Sequence, residues 1–460
     1  MSWQQLLSTK RLGAEGKARV DRPGRTEFDS DIDRLIFSSS FRRLGRKTQV
    51  HPLAANDHVH SRLTHSLEVS RVGKALGTGL GEALNASTTT RLPGSVTPAD
   101  LGAVVQAACL AHDLGNPPFG HAGEEAIIHW FQQNHDVFED IKETDAQNDI
   151  TRCEGNAQGF RVITQLENNL FLGGLRLTYA TLAAFQKYPW TSRLKEKKFG
   201  AYISEEAILD RVFTEIGMRK LPDGRWPRHP LAHLVEAADD ICYAVIDVED
   251  AVELGILPFS KVRDLLLKPF NETDRNEILA TFAPESMHRV NFARMRGPLF
   301  DKMVAAAIDE FKRRYDEIMD QKTNEGLFES GRADDPCAHL IKEAKRIGRE
   351  NIYTDNRKVE NEIGCYATLD RLLREVCPAA LAQAKILAEG TVDKLPWKES
   401  LVLKLLGDHA PSLTNAPEGG WTEHQCLRRA VDFVGGMTDN YAVYVSQQLS
   451  GAGFSGGQRP

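Results

Sequence analysis

Residues 107–121 read Ala-Ala-Cys-Leu-Ala-His-Asp-Leu-Gly-Asn-Pro-Pro-Phe-Gly-His, and this stretch constrains the fold tightly. An apolar helix runs into His112-Asp113 and is stopped by Gly115-Asn116-Pro117-Pro118, because proline has no N–H to donate and disfavours helical geometry in the residue before it. Two metal-capable side chains therefore stand at a helix end. Neighbouring helical residues point about 100° apart, so both can hold one cation only beside the last turn. Other helices must then complete the shell.

Three apolar helical segments offer the partners: His65 in Arg62-Leu63-Thr64-His65-Ser66, the pair His112 and Asp113, and Asp239 in Glu236-Ala237-Ala238-Asp239-Asp240. Any one alone reads as a structural polar residue. Together they would be costly to bury unless they share a cation. Two imidazoles with two carboxylates suit Mn²⁺, Fe²⁺, Co²⁺, Ni²⁺ or Zn²⁺, and also Mg²⁺ where water or phosphate takes the open positions.

The rest of the chain supplies such helices. Apolar periodicity predicts helices over 61–84, 100–113, 120–134, 155–170, 175–185, 229–254, 261–267, 284–320, 357–376, 397–406 and 422–449, and a helix or helix pair over 29–46. Residues 1–27 read as irregular and basic, 136–149 as an acidic loop, and 451–460 as a disordered tail. Alternating strand patterns are few, so the expected fold is all-α. With 460 residues, 41% hydrophobic and 26% charged, the chain can bury a large core in two or three units or in one continuous helical body. Seven cysteines without a C-x-x-C fit reduced thiols. There is no apolar run of about 18 residues and no signal-peptide pattern near the start, so the expected location is the cytoplasm. A net charge of −7 argues against a nucleic-acid coat over the whole surface. It leaves room for a local basic patch at Arg34, Arg42, Arg43, Arg46 and Lys47, which also fits an ordinary solvated face.

The order His, His-Asp, distant Asp resembles the HD superfamily of metal-dependent phosphohydrolases. Longer strings are more specific: 112–124 (His-Asp-Leu-Gly-Asn-Pro-Pro-Phe-Gly-His-Ala-Gly-Glu), 154–159 (Glu-Gly-Asn-Ala-Gln-Gly), 236–241 (Glu-Ala-Ala-Asp-Asp-Ile) and 436–442 (Gly-Met-Thr-Asp-Asn-Tyr-Ala). They are similar to those of the bacterial dGTP triphosphohydrolases, over about residues 26–449. The resemblance implies an HD-type helical core over 28–257, a helical C-terminal region over 258–450 serving the nucleotide pocket and oligomer contacts, and Mn²⁺ or Mg²⁺ as the usual metal. It implies hydrolysis of dGTP at the α-phosphorus to deoxyguanosine and tripolyphosphate, controlling dNTP pools. It also implies a homo-oligomer, with a hexamer favoured, and single-stranded DNA as an effector.

The same resemblance implies roles for individual residues. His121 and Glu124, three apart on one helix face, become an acid–base pair in which Glu124 orients His121. Arg62, three before His65, points to the metal side, and with Lys187 meets phosphate; Lys197 and Lys198 read as solvated lysines. Gln49 holds the 3′-hydroxyl, Val50 crowds the place of a 2′-hydroxyl, and Tyr243 and Asp247 meet the sugar. Glu360 or Glu362 reads the guanine N1–H and N2–H donors. The competing expectations are a broader dNTP triphosphohydrolase or another HD nucleotide phosphohydrolase, and a single-strand-binding protein with a vestigial metal site.

Overall fold

The computed structural model describes residues 1–15, 24–49, 58–139, 141, 143–168, 172–329, 334–389, 395–417 and 419–451. Its regular elements are helical, with only isolated bridges among the described residues, so the fold is all-α. The helices that build the site are α1 (Arg62–Ala86), α2 (Pro98–Ala111), α3 (His121–Gln133), α4 (Gly155–Arg161), α5 (Tyr179–Phe185), α6 (Pro230–Glu253), α7 (Asn356–Glu389), α8 (Glu423–Gly435) and α9 (Asp439–Leu449).

Their starts are written in the sequence. Ser61 and Thr64, and likewise Thr97 and Asp100, form reciprocal caps in which each side chain accepts the other's backbone N–H. Pro98 and Pro230 occupy first-turn positions where no N–H is needed. α2 is buried almost all round, so it is a central helix rather than a surface one. α1 and α6 pack beside it.

Two large apolar clusters share the work. One gathers residues from Trp3 to Leu114 with residues from Phe160 to Ile352. The other gathers Phe119 to Ile150 with Cys365 to Val445, so that α3 packs among α7, α8 and α9. The chain crosses from the first cluster to the second between Leu114 and Phe119, immediately after the His-Asp pair.

Several expected boundaries shift for local reasons. Residues 1–27 are not wholly irregular: Trp3–Leu6 is helical, Trp3, Leu6, Leu7 and Leu12 are buried, and Trp3 Nε1 donates to the Tyr315 hydroxyl at 3.0 Å. Thr144–Thr151 is a helix in place of the expected loop, because Ala146 and Ile150 share a buried face. The helix expected over 155–170 ends at Arg161 and passes into a wider turn, Val162–Leu166. Thr178 caps α5, which therefore begins at Tyr179. α7 runs on to Glu389 with Pro378 inside it, and the segment 422–449 is broken by Gly436-Met437-Thr438, with Thr438 capping α9. Pro336–Ile347 is a further helix outside the expected set, with Cys337, Leu340, Ile341, Ala344 and Ile347 along its buried face. The expected tail from residue 452 onward lies outside the described residues. Among the described residues no helix is long and apolar enough to cross a membrane.

Candidate functional site

A cavity of about 510 Å³ opens along the seam between the two clusters, lined from α1, α3, α4, α5, α6 and α7 and the connections between them, among them the loop that follows α2. At its floor α2 ends. His112 Nδ1 lies 2.7 Å from the Cys109 carbonyl oxygen. A carbonyl only accepts, so Nδ1 carries the hydrogen and the neutral ring leaves Nε2 as a lone-pair donor. That nitrogen is 3.7 Å from both Asp113 Oδ1 and Asp239 Oδ1. Buried His65 sends Nε2 to within 3.1 Å of Asp239 Oδ1. His65, His112 and Asp113 each offer a ligand atom, all within 4.8 Å of one another.

The donor set fits a divalent cation. Two imidazole nitrogens and two carboxylates converge, and Asp113 Oδ2 is buried without a hydrogen-bond partner. Its nearest charge is Arg62 Nη1 at 3.0 Å. Burial alone would raise the Asp113 pKa, but the neighbouring Arg62 guanidinium holds it below the usual carboxylate value. Asp239 is likewise held low, against burial, by His65 and His112. The other Asp113 oxygen, Oδ1, accepts the Asn116 side-chain amide at 2.7 Å, a partner of the kind that orients metal ligands.

The loop after the pair is fixed by two close approaches. A Cβ at Gly115 would lie 2.0 Å from the Gly159 nitrogen, and one at Gly120, where φ is +59°, would lie 2.5 Å from Arg62 Nη2. Glycine at both positions lets the loop press on α4 and on Arg62. α3 then opens with His121, whose side chain is 78% exposed and whose Nδ1 is 2.8 Å from Glu124 Oε2. Glu124 is buried and its Oε1 accepts the Gly155 N–H at 2.7 Å. Burial pushes its pKa up, but His121 and Lys198 bring it below the ordinary value. An ionised carboxylate only accepts, so His121 Nδ1 donates and Nε2 is left for the cavity.

Cations surround this floor. Lys187 Nζ is 3.3 Å from Glu236 Oε1, whose other oxygen accepts from Arg228 at 2.6 Å. Lys198 is not the solvated lysine that its basic surroundings suggest. It lines the cavity, 3.1 Å from Glu154 Oε1 and 3.6 Å from Glu124 Oε2. Gln49 also lines the cavity and its Oε1 is buried with no partner. Elsewhere in the lining the Tyr243 hydroxyl meets the Tyr353 hydroxyl at 2.8 Å, and Asp247 Oδ1 is a third orphaned acceptor. Burial pushes the Asp247 pKa up to about 7.

Of the expected site residues, Gln49, Arg62, His112, Asp113, His121, Glu124, Lys187, Asp239, Tyr243, Asp247 and Glu362 line this one cavity, with His65 buried beside them. Glu362 pairs with Lys358 at 2.8 Å, and both face in. Glu360 is exposed and is not part of the lining. Val50 lies outside the described residues. Sequence reasoning passes over Asn116, Glu154, Asn156, Glu236 and Tyr353, all of which line the cavity. The first four sit inside strings that stand out for their neighbours. Tyr353 carries no signal.

The HD domain family profile matches residues 62–161, which hold His65, His112 and Asp113 but not Asp239. A deoxyguanosinetriphosphate triphosphohydrolase-like protein of Pseudomonas aeruginosa is 44% identical, over 98% of this chain and 99% of its own length. The chain belongs to the deoxyguanosinetriphosphate triphosphohydrolase family of HD-domain proteins. A member from Synechocystis, also named triphosphohydrolase-like, is 34% identical over 98% of this chain and 99% of its own. A deoxyguanosinetriphosphate triphosphohydrolase of Serratia proteamaculans is 28% identical over 98% of both chains. As a member of this family the protein is an HD-domain nucleotide triphosphohydrolase, and HD domains bind divalent metals.

Proposed function

We propose that the protein hydrolyses deoxynucleoside triphosphates, dGTP in preference, at the α-phosphorus, breaking the bond to O5′ and releasing deoxynucleoside and intact tripolyphosphate. The observation that carries this is the juxtaposition, in one cavity, of the His65, His112, Asp113 and Asp239 cluster with the His121–Glu124 pair and the cations Arg62, Lys187 and Lys198. A divalent cation held by the four ligands, Mn²⁺ or Mg²⁺ in preference, would polarise the α-phosphoryl oxygens and an attacking water.

The chain's own groups do the rest. Arg62, Lys187 and Lys198 neutralise the triphosphate. His121 Nε2 moves a proton to or from the attacking or leaving oxygen, while Glu124 holds the ring in place. The orphaned Gln49 Oε1 takes the 3′-hydroxyl, Tyr243 and the raised Asp247 meet the sugar, and Glu362 reads the base. A site built around a substrate hydroxyl discriminates strongly against an analogue that leaves its polar groups unpaired.

The test is incubation with Mn²⁺ and each dNTP or NTP, with products resolved by ion exchange and phosphorus NMR. Deoxyguanosine and tripolyphosphate from dGTP are expected. Tripolyphosphate from every dNTP would keep the chemistry and replace the guanine preference with a broad one. Orthophosphate or pyrophosphate would sink the α-phosphorus assignment.

A second reading, binding of single-stranded DNA, as effector or as main role, has one observation behind it. Arg42, Arg43 and Arg46 stand together, exposed, along an open groove of about 340 Å³ with Thr438 and Asn440. Lys47 leaves that basic group, since it is buried and donates to two carbonyls, and Arg34 donates to the Leu175 carbonyl. Salt-sensitive binding of single strands, lost in Arg42→Ala/Arg46→Ala, is the expected result. Homo-oligomerisation, with a hexamer favoured, belongs to the same proposal and is read by sedimentation.

A further inference from the structure

The string 436–442 takes no part in the proposed chemistry, yet its aspartate, far along the sequence, bonds two residues of the cavity lining. Asp439 is buried and opens α9 behind the cap Thr438. Its Oδ1 accepts the Phe119 N–H at 2.9 Å. Its Oδ2 accepts the Thr48 N–H at 3.0 Å and the Thr48 hydroxyl at 2.9 Å. Thr48 and Phe119 both line the cavity, and each stands close before a residue of the proposed machinery: Gln49 comes next after Thr48, and His121 is two residues after Phe119.

Lys47 closes the same junction. Its ammonium donates to the Asn116 carbonyl at 2.5 Å and to the Gly435 carbonyl at 2.9 Å, while its own carbonyl accepts the Arg62 N–H at 3.0 Å. Three segments distant in sequence, 47–49, 116–121 and 435–439, therefore meet at one buried point. One of them is strained: Phe119 has φ of +65°, in the left-handed region that a bulky side chain occupies only when its surroundings hold it there. The Asp439–Phe119 bond is part of that hold. An asparagine could not replace the aspartate, because one of its two positions is an NH₂ group, which would face either the Phe119 donor or the Thr48 donors.

We propose that Asp439 is a positioning residue for His121 and Gln49. Its carboxylate fixes the Phe119-Gly120 turn and the Lys47-Thr48-Gln49 segment against each other, so that the C-terminal helices complete the cavity. The kinetic consequence rests on the proposed nucleotide hydrolysis; the junction itself does not. Misplacing a proton-transfer group by about 1 Å is worth on the order of 100-fold in rate.

Amide exchange of the full chain with Mn²⁺ present reads the junction without any substrate. In Asp439→Asn, exchange at positions 48 and 119 should quicken about tenfold or more, while Val445→Ala, which trims a buried side chain on the same helix, leaves both unchanged. Unchanged exchange in Asp439→Asn overturns the proposal whatever the protein hydrolyses. Turnover gives the second arm. Asp439→Asn should lose about 100-fold in kcat at unchanged metal content, but only a few-fold further in a His121→Ala background, because residues acting through one another are not additive. Equal losses in both backgrounds would overturn action through His121. If Asp439→Asn does not fold, Thr48→Val decides by removing one of the three bonds: raised KM and faster exchange at position 48 support the junction, and unchanged values of both overturn it. Absence of turnover in the wild type would sink the nucleotide reading and leave the exchange experiment to judge the junction.

Discussion

Three side chains at the floor of the cavity have their free atom chosen by a neighbour. Cys109 takes the His112 Nδ1 hydrogen, Asn116 takes one oxygen of Asp113, and Glu124 takes the Nδ1 hydrogen of His121. In Asp113→Asn the side chain loses its charge, and its NH₂ would face either the Arg62 guanidinium or the Asn116 amide. That variant should lose bound metal and turnover together, measured by elemental analysis and the tripolyphosphate assay; normal metal content would refute the ligand role. His121→Ala should do the opposite, keeping metal and nucleotide binding while losing about 10²–10⁴-fold in turnover. Its exposed ring leaves stability nearly unchanged, and a near-normal rate would make the pair an ordinary surface contact. Residues of this kind are legible because rare residue types stand in apolar helices, where burial needs a reason. Lys198 is not legible: its partners Glu154 and Glu124 come from segments that only the folded chain brings beside it, and a lysine in a basic turn looks the same whether solvated or paired.

Among the elements, helix cores follow from apolar periodicity, whereas helix ends depend on contacts that no periodicity encodes. α5 begins late because Thr178 caps it, and α8 and α9 separate because Thr438 caps afresh after Gly436. The start of α1 depends on a partner from α6. His60, just ahead of the helix, binds Asp250 through both its backbone N–H at 3.1 Å and its Nδ1 at 2.7 Å, and its Nε2 lies 3.4 Å from Glu68. Burial opposes the charge on His60, but the hydrogen bonds to Asp250 and Glu68 outweigh it and raise the pKa to about 10. The folded state therefore holds this proton more tightly than the unfolded chain, whose histidines titrate near 6.5. The stabilisation is complete below about pH 6.5 and fades as the pH climbs to about 10. His60→Gln should accordingly destabilise the protein by about 2 kcal/mol near pH 6 and by little near pH 10, as read from urea unfolding at the two values. A pH-independent difference would mean that the ring acts through packing rather than charge.

Across the whole molecule, the cavity exists because two apolar clusters meet along a polar seam, and the seam is held by buried charge. Arg161 of α4 donates to Asp432 of α8 through Nε and Nη2 and to Glu205 through Nη1, while Gln158 of α4 donates to the same Asp432 carboxylate at 2.9 Å. Arg428, fully buried with its guanidinium 3.7 Å over the Tyr202 ring, donates to the Asp149 carbonyl and the Gln158 side chain. No single segment reveals this arrangement, since it pairs residues far apart in sequence, such as Arg161 with Asp432, 271 positions on. It keeps α4 in place, and α4 in turn presents the Gly155 N–H that anchors Glu124. Removing the shared carboxylate leaves Arg161 and Arg428 buried with less compensation, and breaking a buried pair in this way costs about 3–5 kcal/mol. Asp432→Ala should lose that much at neutral pH. Burial would raise the Asp432 pKa, but Arg161 and Arg428 hold it well below its ordinary value, so its stabilisation is present above the unfolded value near 4 and drains away as the pH falls below it. The gap in urea midpoint between wild type and variant should therefore narrow steadily as the pH falls below about 4, whereas a gap that stays constant from neutral to acid pH would assign the loss to the emptied volume instead of to the charge.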